Sequence, residues 1–191
     1  DFQTQVFLKL QSLQANTFDN PNTFNSAQEL REELESGRDG LPLNAKPRRS
    51  VQTIDHFIPT EFGELKIREY CPERVLMESP ILYFHGGGYV LGSISTHDPW
   101  LKFFSAEIGA KIFSLEYRLA PENKFPSSVQ DSNLALEWLE NKLSLPIKKI
   151  SLCGDSAGAH LAASLSTYRA VNNLSLPLSQ CLIYPMIDPA C

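Results

Sequence analysis

The sequence lacks the features that mark membrane-spanning, metal-binding and nucleic-acid-binding proteins. No apolar run approaches the roughly 20 residues of a transmembrane helix. The four cysteines, at positions 71, 153, 181 and 191, do not follow the spacing of a metal site, and we expect neither a metal nor a cofactor. With 22 acidic and 17 basic residues, the net charge is −5. This argues against nucleic acid or an anionic membrane surface as a partner.

The chain does contain enough apolar material for one sizeable core, since 42% of its 191 residues are hydrophobic. Cys153 and Cys181 lie in apolar runs and are predicted to be free, buried thiols. Free thiols favour a reducing compartment, so we expect a cytoplasmic protein. Self-association as a homodimer stays open.

Residues 154–158, with the letters GDSAG, form the most informative motif. A short apolar stretch precedes them and a helix-like stretch follows. Strand, G-x-S-x-G and helix in this order are typical of a nucleophile elbow, a tight turn that presents a serine at the top of a sheet. Larger residues in place of Gly154 and Gly158 would clash in such a turn. N–H groups at the start of the helix would stabilise negative charge beside Ser156, as attack on an ester carbonyl requires.

A second glycine motif, HGGG at residues 85–88, follows the apolar run 80–84. The run is typical of a buried central strand. Three glycines in a row leave backbone N–H groups uncovered, so that a ligand oxygen can approach them. An HGGG loop after the third strand supplies part of an oxyanion hole in α/β-hydrolases.

The chain resembles esterases of the hormone-sensitive lipase family, within the α/β-hydrolase fold. Four stretches carry the resemblance: residues 85–93 (HGGGYVLGS), 116–126 (EYRLAPENKFP), 154–158 (GDSAG) and 182–185 (LIYP). Their order and spacing match the family, and the resemblance covers about residues 50–190. One departure is Ala159-His160, where the family more often has Gly-Asn.

The resemblance implies that Ser156 is the nucleophile of a carboxylesterase. It implies an oxyanion hole made of three backbone N–H groups, those of Gly86, Gly87 and Ala157. Supporting roles fall to three further motif residues, His85, Gly88 and Asp155, with Gly88 serving backbone shape. Tyr89 would line the substrate pocket or pack in the core. The resemblance also implies cis peptide bonds before Pro121 and Pro126.

The general base and its orienting acid are missing from the expected positions. In this fold the order is Ser, then Asp or Glu, then His. Among the residues after Ser156, the only histidine is His160, one helical turn beyond the serine, and the only acidic residue is Asp188. We interpret His160 as a helix-packing residue and Asp188 as a turn residue. We therefore expect the acid and the base to lie on the last strands of the fold, which are absent from this chain and would take on the order of 100 further residues. We expect the 191-residue piece alone to be inactive.

Two regions are predicted. Residues 1–45 form an N-terminal helical cap segment, with one helical face at Phe2, Val6, Leu10 and Leu13 and a second helix that begins at a capping box, Ser26 to Glu29. Residues 46–191 form an α/β-hydrolase core with a mostly parallel sheet. Its predicted strands are 51–58, 64–70, 80–84, 111–116, 149–153 and 179–184, the first two an antiparallel pair at the sheet edge. Its predicted helices are 97–109, 128–143 (opened by Ser128 and Asp131) and 157–171.

Three functions stay open at this point. The first is a carboxylesterase that hydrolyses short- to medium-chain esters through an acyl-serine intermediate. The second is a receptor-like protein that binds a small ligand on the same fold without catalysis. The third is an amidase or peptidase.

Overall fold

A six-stranded sheet organises the part of the chain that the computed structural model describes, residues 26–36, 47 and 49–187. The strands are β1 Val51–Thr60, β2 Gly63–Pro72, β3 Met77–Phe84, β4 Ala110–Leu115, β5 Ser151–Asp155 and β6 Ser179–Ile183. The helices are α1 Ala27–Ser36, α2 Ile94–Ile108, α3 Ser127–Leu143 and α4 Ala157–Val171, and a short 3₁₀ helix spans Ile147–Lys149.

The strand order is β1-β2-β4-β3-β5-β6. The pairings β1–β2 and β2–β4 are antiparallel, and the other three are parallel. The predicted α/β-hydrolase sheet, mostly parallel with an antiparallel pair at one edge, is therefore confirmed. The connection from β3 leads to β4 on one side of it, and the next connection leads from β4 to β5 on the other side, so the order of the parallel strands changes direction at β3. Ligands in open α/β sheets bind outside the carboxyl ends of strands at such a switch point.

Helices cover both faces of the sheet. On one face, α3 and α4 pack Leu136, Leu139 and Leu161 against the strands. On the other face, α2 packs Leu101 against Tyr83. The central strands are buried on both sides, which explains why residues 81–84 are continuously apolar. None of the helices in this part of the chain is long and apolar enough to cross a membrane.

The start of α2 differs from the prediction. The helix begins at Ile94, three residues before His97, because Ser93 and Thr96 form a capping box. The Ser93 side chain accepts from the Thr96 N–H at 3.1 Å, and the Thr96 hydroxyl accepts from the Ser93 N–H at 2.9 Å. Thr in place of the usual Glu or Gln at the third helical position made this start signal easy to overlook.

The predicted opening of α3 by Ser128 and Asp131 is wrong. The helix begins at Ser127 after Pro126, and no side chain caps it. Asp131 is buried and instead accepts hydrogen bonds from the Arg118 guanidinium at 2.7 Å and from the Arg118 N–H at 2.9 Å. A buried carboxylate is stabilised far more by a bidentate arginine than by a single N–H group.

Cys181 is also misplaced by the prediction, since it is exposed, whereas Cys153 is buried. The two lie opposite each other on β6 and β5. Among the described strands β6 pairs only with β5, so little covers its side chains.

Some predictions fall outside the described residues. They concern residues 1–25, which include the first predicted helix, and Asp188 and Cys191. The start of α1 follows the prediction, since the Ser26 hydroxyl accepts from the Glu29 N–H at 3.2 Å.

Candidate active site

The two glycine motifs meet because β3 and β5 are neighbours. Phe84, the last residue of β3, lies opposite Gly154 on β5. The loop that begins at His85 and the turn that begins at Gly154 therefore leave the sheet side by side. They are 69 positions apart in sequence, so only the sheet order brings them together.

Ser156 lies in a strained turn between β5 and α4. Its backbone has φ 52° and ψ −118°, outside the regions that a residue with a side chain normally adopts. Such a conformation costs about 1–3 kcal/mol and is found mainly at functional sites. The turn is held by the Ser156 N–H, which donates to the Ile183 carbonyl at 2.9 Å.

The glycines on either side of Ser156 are required by close backbone packing. A Cβ at Gly154 would lie 2.5 Å from the carbonyl of Gly158. A Cβ at Gly158 would lie 2.0 Å from the Phe84 carbonyl oxygen. The elbow can therefore form only with glycine at both positions, as expected from the motif.

The glycine loop corrects one assignment. The Gly86 N–H donates to the Asp155 carboxylate at 2.9 Å, so it is not free to bind a substrate oxygen. Among the described residues, the N–H groups of Gly87 and Gly88 have no hydrogen-bond partner. At Gly88 (φ 63°) an added Cβ would meet nothing within 4 Å, so open space lies beside it. Gly88 thus replaces Gly86 as a candidate donor, because the Gly86 N–H already donates to a charged acceptor.

Asp155 connects the elbow to the surrounding elements. Its carboxylate accepts from the Tyr83 hydroxyl at 2.7 Å and pairs with the His97 ring at 3.3 Å, in addition to the Gly86 N–H. Burial would raise the pKa of Asp155, but the hydrogen bonds from His97, Tyr83 and Gly86 lower it to about 2. The carboxylate is therefore ionised and fully engaged.

His85 supports the glycine loop from beneath. It is completely buried, its ring stacks on Tyr117 with centroids 4.3 Å apart, and its Nδ1 lies 2.9 Å from the Gly86 carbonyl oxygen. The Tyr117 hydroxyl donates to the His85 carbonyl at 2.6 Å. Burial, aided by the neighbouring His97, lowers the pKa of His85 to about 3, so the ring is neutral.

The chain contains four histidines, all of them described, and none contacts the Ser156 hydroxyl. His85 bonds to Gly86, His97 to Asp155 and His56 to Glu69. His160 was expected to pack within the fold, but it is exposed, and its Nδ1 lies 2.7 Å from the Tyr89 hydroxyl. In the described part of the chain, no cluster of His, Cys, Asp and Glu is arranged to hold a metal ion.

The loop between β4 and α3 borders the site. Both predicted cis peptide bonds, Ala120-Pro121 and Phe125-Pro126, are confirmed. Arg31 of α1 reaches this loop and the glycine loop together. Its guanidinium donates to the carbonyls of Ala120 at 2.6 Å and Val90 at 2.7 Å, and it pairs with Glu122.

Sequence reasoning missed the residues that connect these elements. Tyr83, Tyr117, His97 and Arg31 each contact a motif residue or its neighbour, yet none lies in a recognisable pattern with its partner. Two stretches of the resemblance were usable signals, since residues 85–93 end directly before the helix that carries His97 and residues 116–126 include Tyr117.

Comparisons with known proteins agree with this geometry. A family model described as the alpha/beta hydrolase fold matches residues 81–190. An arylesterase from Saccharolobus solfataricus is 36% identical, over 78% of this chain and 49% of its own length. An ethyl acetate hydrolase from Pseudomonas putida is 34% identical, over 66% of this chain and 42% of its own length. The chain thus spans about half the length of the curated relatives it matches.

A solved structure extends the agreement to the whole core. It is an esterase from the bacterial hormone-sensitive lipase family, 28% identical, with a TM-score of 0.74 over 87% of this chain and 53% of that one. The α/β-hydrolase fold and its mostly parallel sheet match what the resemblance implied. The chain belongs to the α/β-hydrolase fold family, and the relatives it resembles within that family are esterases that include the hormone-sensitive lipase type.

Proposed function

We propose that the protein is a carboxylic ester hydrolase that acts on short- to medium-chain esters of small molecules. The observation that carries the proposal is the position of Ser156. Its strained backbone places it at the N-terminus of α4, next to a glycine loop in which two N–H groups find no hydrogen-bond partner among the described residues. The names of the two relatives, an ethyl acetate hydrolase and an arylesterase, support small esters as the substrate class.

In the proposed reaction, the Ser156 hydroxyl oxygen attacks the ester carbonyl carbon while a base takes the hydroxyl proton. The carbonyl oxygen becomes an oxyanion that accepts hydrogen bonds from the N–H groups of Gly87, Gly88 and Ala157. Each such donor typically contributes about a hundredfold or more to the rate. The alcohol then leaves with the proton, and water hydrolyses the acyl-serine.

The general base is proposed to lie outside the described residues, because each of the four histidines has another partner. His160 is the histidine closest in sequence to Ser156, but its Nδ1 is occupied by Tyr89. His85 is buried and neutral, with Nδ1 bound to the loop backbone.

Three further proposals concern the surroundings of the site. Residues 1–45, through α1, would cap the active site, since Arg31 contacts both loops that border it. The cytoplasm is the proposed compartment, because Cys71, Cys153 and Cys181 are free thiols.

Self-association as a homodimer is proposed as well, and sedimentation analysis of the protein would test it.

The decisive experiment uses the protein expressed from its full coding sequence. We expect hydrolysis of p-nitrophenyl acetate and butyrate and covalent labelling of Ser156 by an organophosphate. Ser156→Ala should lower kcat on the order of a millionfold and abolish labelling. Ser164→Ala, a serine on the same helix away from the elbow, is the matched control and should leave both unchanged.

Other outcomes would replace the proposal. Tight binding of small ligands with no turnover of any ester and no labelling would favour the receptor-like alternative. Faster turnover of amides than of matched esters would favour an amidase or peptidase. Normal ester hydrolysis by Ser156→Ala would refute Ser156 as the nucleophile.

A further inference from the structure

Tyr89 directly follows Gly87 and Gly88, whose N–H groups have no hydrogen-bond partner in the part of the chain that the structure describes. It is not a glycine, yet its backbone has φ 65°, in the left-handed region. For a bulky residue this conformation is unusual and persists only where the surroundings enforce it. The conformation of Tyr89 therefore depends on contacts that hold it.

Two contacts of Tyr89 reach other elements. Its carbonyl accepts from the Ala120 N–H at 2.9 Å, which ties the loop backbone to the segment after β4. Its hydroxyl lies 2.7 Å from Nδ1 of His160, and the two rings meet edge to face with centroids 5.9 Å apart. At 2.7 Å this is a short, well-formed hydrogen bond.

His160 belongs to the helical turn that starts at the nucleophile. Its N–H donates to the Ser156 carbonyl at 3.1 Å, the first helical hydrogen bond of α4. The Ala157 N–H, the third candidate donor, lies in that same turn. The Tyr89–His160 hydrogen bond thus joins the element that carries Gly87 and Gly88 to the element that carries Ala157.

The glycine loop is therefore held at both ends by residues that flank Ser156. At one end Asp155, the residue before the serine, accepts from the Gly86 N–H. At the other end His160, four residues after the serine, bonds to Tyr89. Gly87 and Gly88 lie between these two tethers, which set their distance from Ala157.

We propose that Tyr89 and His160 are a pair of positioning residues that align the two halves of the oxyanion hole through their side-chain hydrogen bond. The inference rests on the proposed esterase function. It gives His160 a role other than proton transfer and Tyr89 a role other than filling the pocket. Because the oxyanion forms in the transition state, misalignment should lower kcat and leave KM largely unchanged.

The test compares Tyr89→Phe, His160→Ala, His160→Asn and the double variant Tyr89→Phe/His160→Ala in the protein expressed from its full coding sequence. Tyr89→Phe and His160→Ala each remove the hydrogen bond, and each should lower kcat for p-nitrophenyl butyrate about fivefold to tenfold. KM should stay within about twofold of the wild-type value. The double variant should be no slower than either single variant, because both delete the same interaction. His160→Asn should restore most of kcat, since its side-chain oxygen can accept in place of Nδ1.

Tyr168→Phe, which removes a hydroxyl from an exposed tyrosine on the same helix, is the matched control and should match the wild type. Denaturation curves should show that every variant remains folded, as expected for an exposed histidine and for the loss of a single oxygen atom. A kcat for Tyr89→Phe equal to that of the wild type, or a double variant whose loss is the product of the two single losses, would overturn the inference.

Organophosphate labelling shows whether a negative result refutes only the positioning role of Tyr89 and His160 or the proposed esterase function itself. If the wild type is labelled at Ser156 while the Tyr89 and His160 variants keep full kcat, only the positioning role is wrong. If the wild type is neither labelled nor active on esters, the proposed function fails, and the inference fails with it.

Discussion

At the scale of single residues, Gly158 sets the geometry of the elbow. In an ordinary helix, Gly→Ala stabilises by about 1 kcal/mol. Here the new methyl group would lie 2.0 Å from the Phe84 carbonyl and 2.6 Å from the His85 carbonyl, neither of which can move without disturbing β3. We therefore expect Gly158→Ala to destabilise the protein by about 1–3 kcal/mol, measured by chemical denaturation.

A substitution elsewhere on the same helix measures the ordinary difference in helix propensity between alanine and glycine. Ala170 is exposed on α4, so Ala170→Gly should cost only the helix propensity difference, about 1 kcal/mol. A Gly158→Ala variant more stable than the wild type would mean that the backbones of β3 and α4 are farther apart than described.

At the scale of elements, Arg31 attaches α1 to the core. Its guanidinium bonds to two backbone carbonyls and to Glu122. We expect Arg31→Ala to speed amide hydrogen exchange in α1 at least tenfold, the equivalent of one charge-assisted hydrogen bond of about 1.5 kcal/mol. Exchange in the central strands should not change, because the core does not depend on this contact.

The Glu122→Gln variant distinguishes the contribution of the ion pair from that of the hydrogen bonds to backbone carbonyls. In that variant Arg31 still reaches the carbonyls of Val90 and Ala120, so exchange in α1 should rise less than in Arg31→Ala. Equal exchange rates in wild type and Arg31→Ala would show that other contacts hold α1.

At the scale of the whole molecule, Asp155 makes stability depend on pH. Its pKa is about 2 in the folded protein, against an ordinary value of 3.8. A lowered folded pKa means that the stabilisation is fully present above pH 4 and is lost as the pH falls toward 2. The shift corresponds to about 2 kcal/mol.

The comparison with Asp155→Asn isolates this contribution, since other carboxylates titrate equally in both proteins. We expect the difference in free energy of unfolding between wild type and Asp155→Asn to shrink by about 2 kcal/mol between pH 5 and pH 2. A difference that stays constant across this range would mean that the pKa of Asp155 is the same in the folded and unfolded proteins.

Features that depend on local sterics and on periodicity could be predicted from the amino-acid sequence alone. The strand, elbow and helix from Ser151 to Val171 followed from the glycine spacing, because backbone clashes exclude other residues at Gly154 and Gly158. Alternating and continuous apolar runs were enough to place all six strands within a few residues. The two cis prolines came from the resemblance of residues 116–126, not from any local rule.

Which polar groups are hydrogen-bond partners depends on the folded structure and could not be predicted from the sequence. Asp155 accepts from the Gly86 N–H, and Asp131 pairs with Arg118 and does not cap α3. His160 is exposed and bonds to Tyr89. Each choice depends on strands or loops that are distant in sequence becoming neighbours, as β3 and β5 do. A sequence pattern records what a residue can bond to, but the partner is set by distances that exist only after the sheet order has formed.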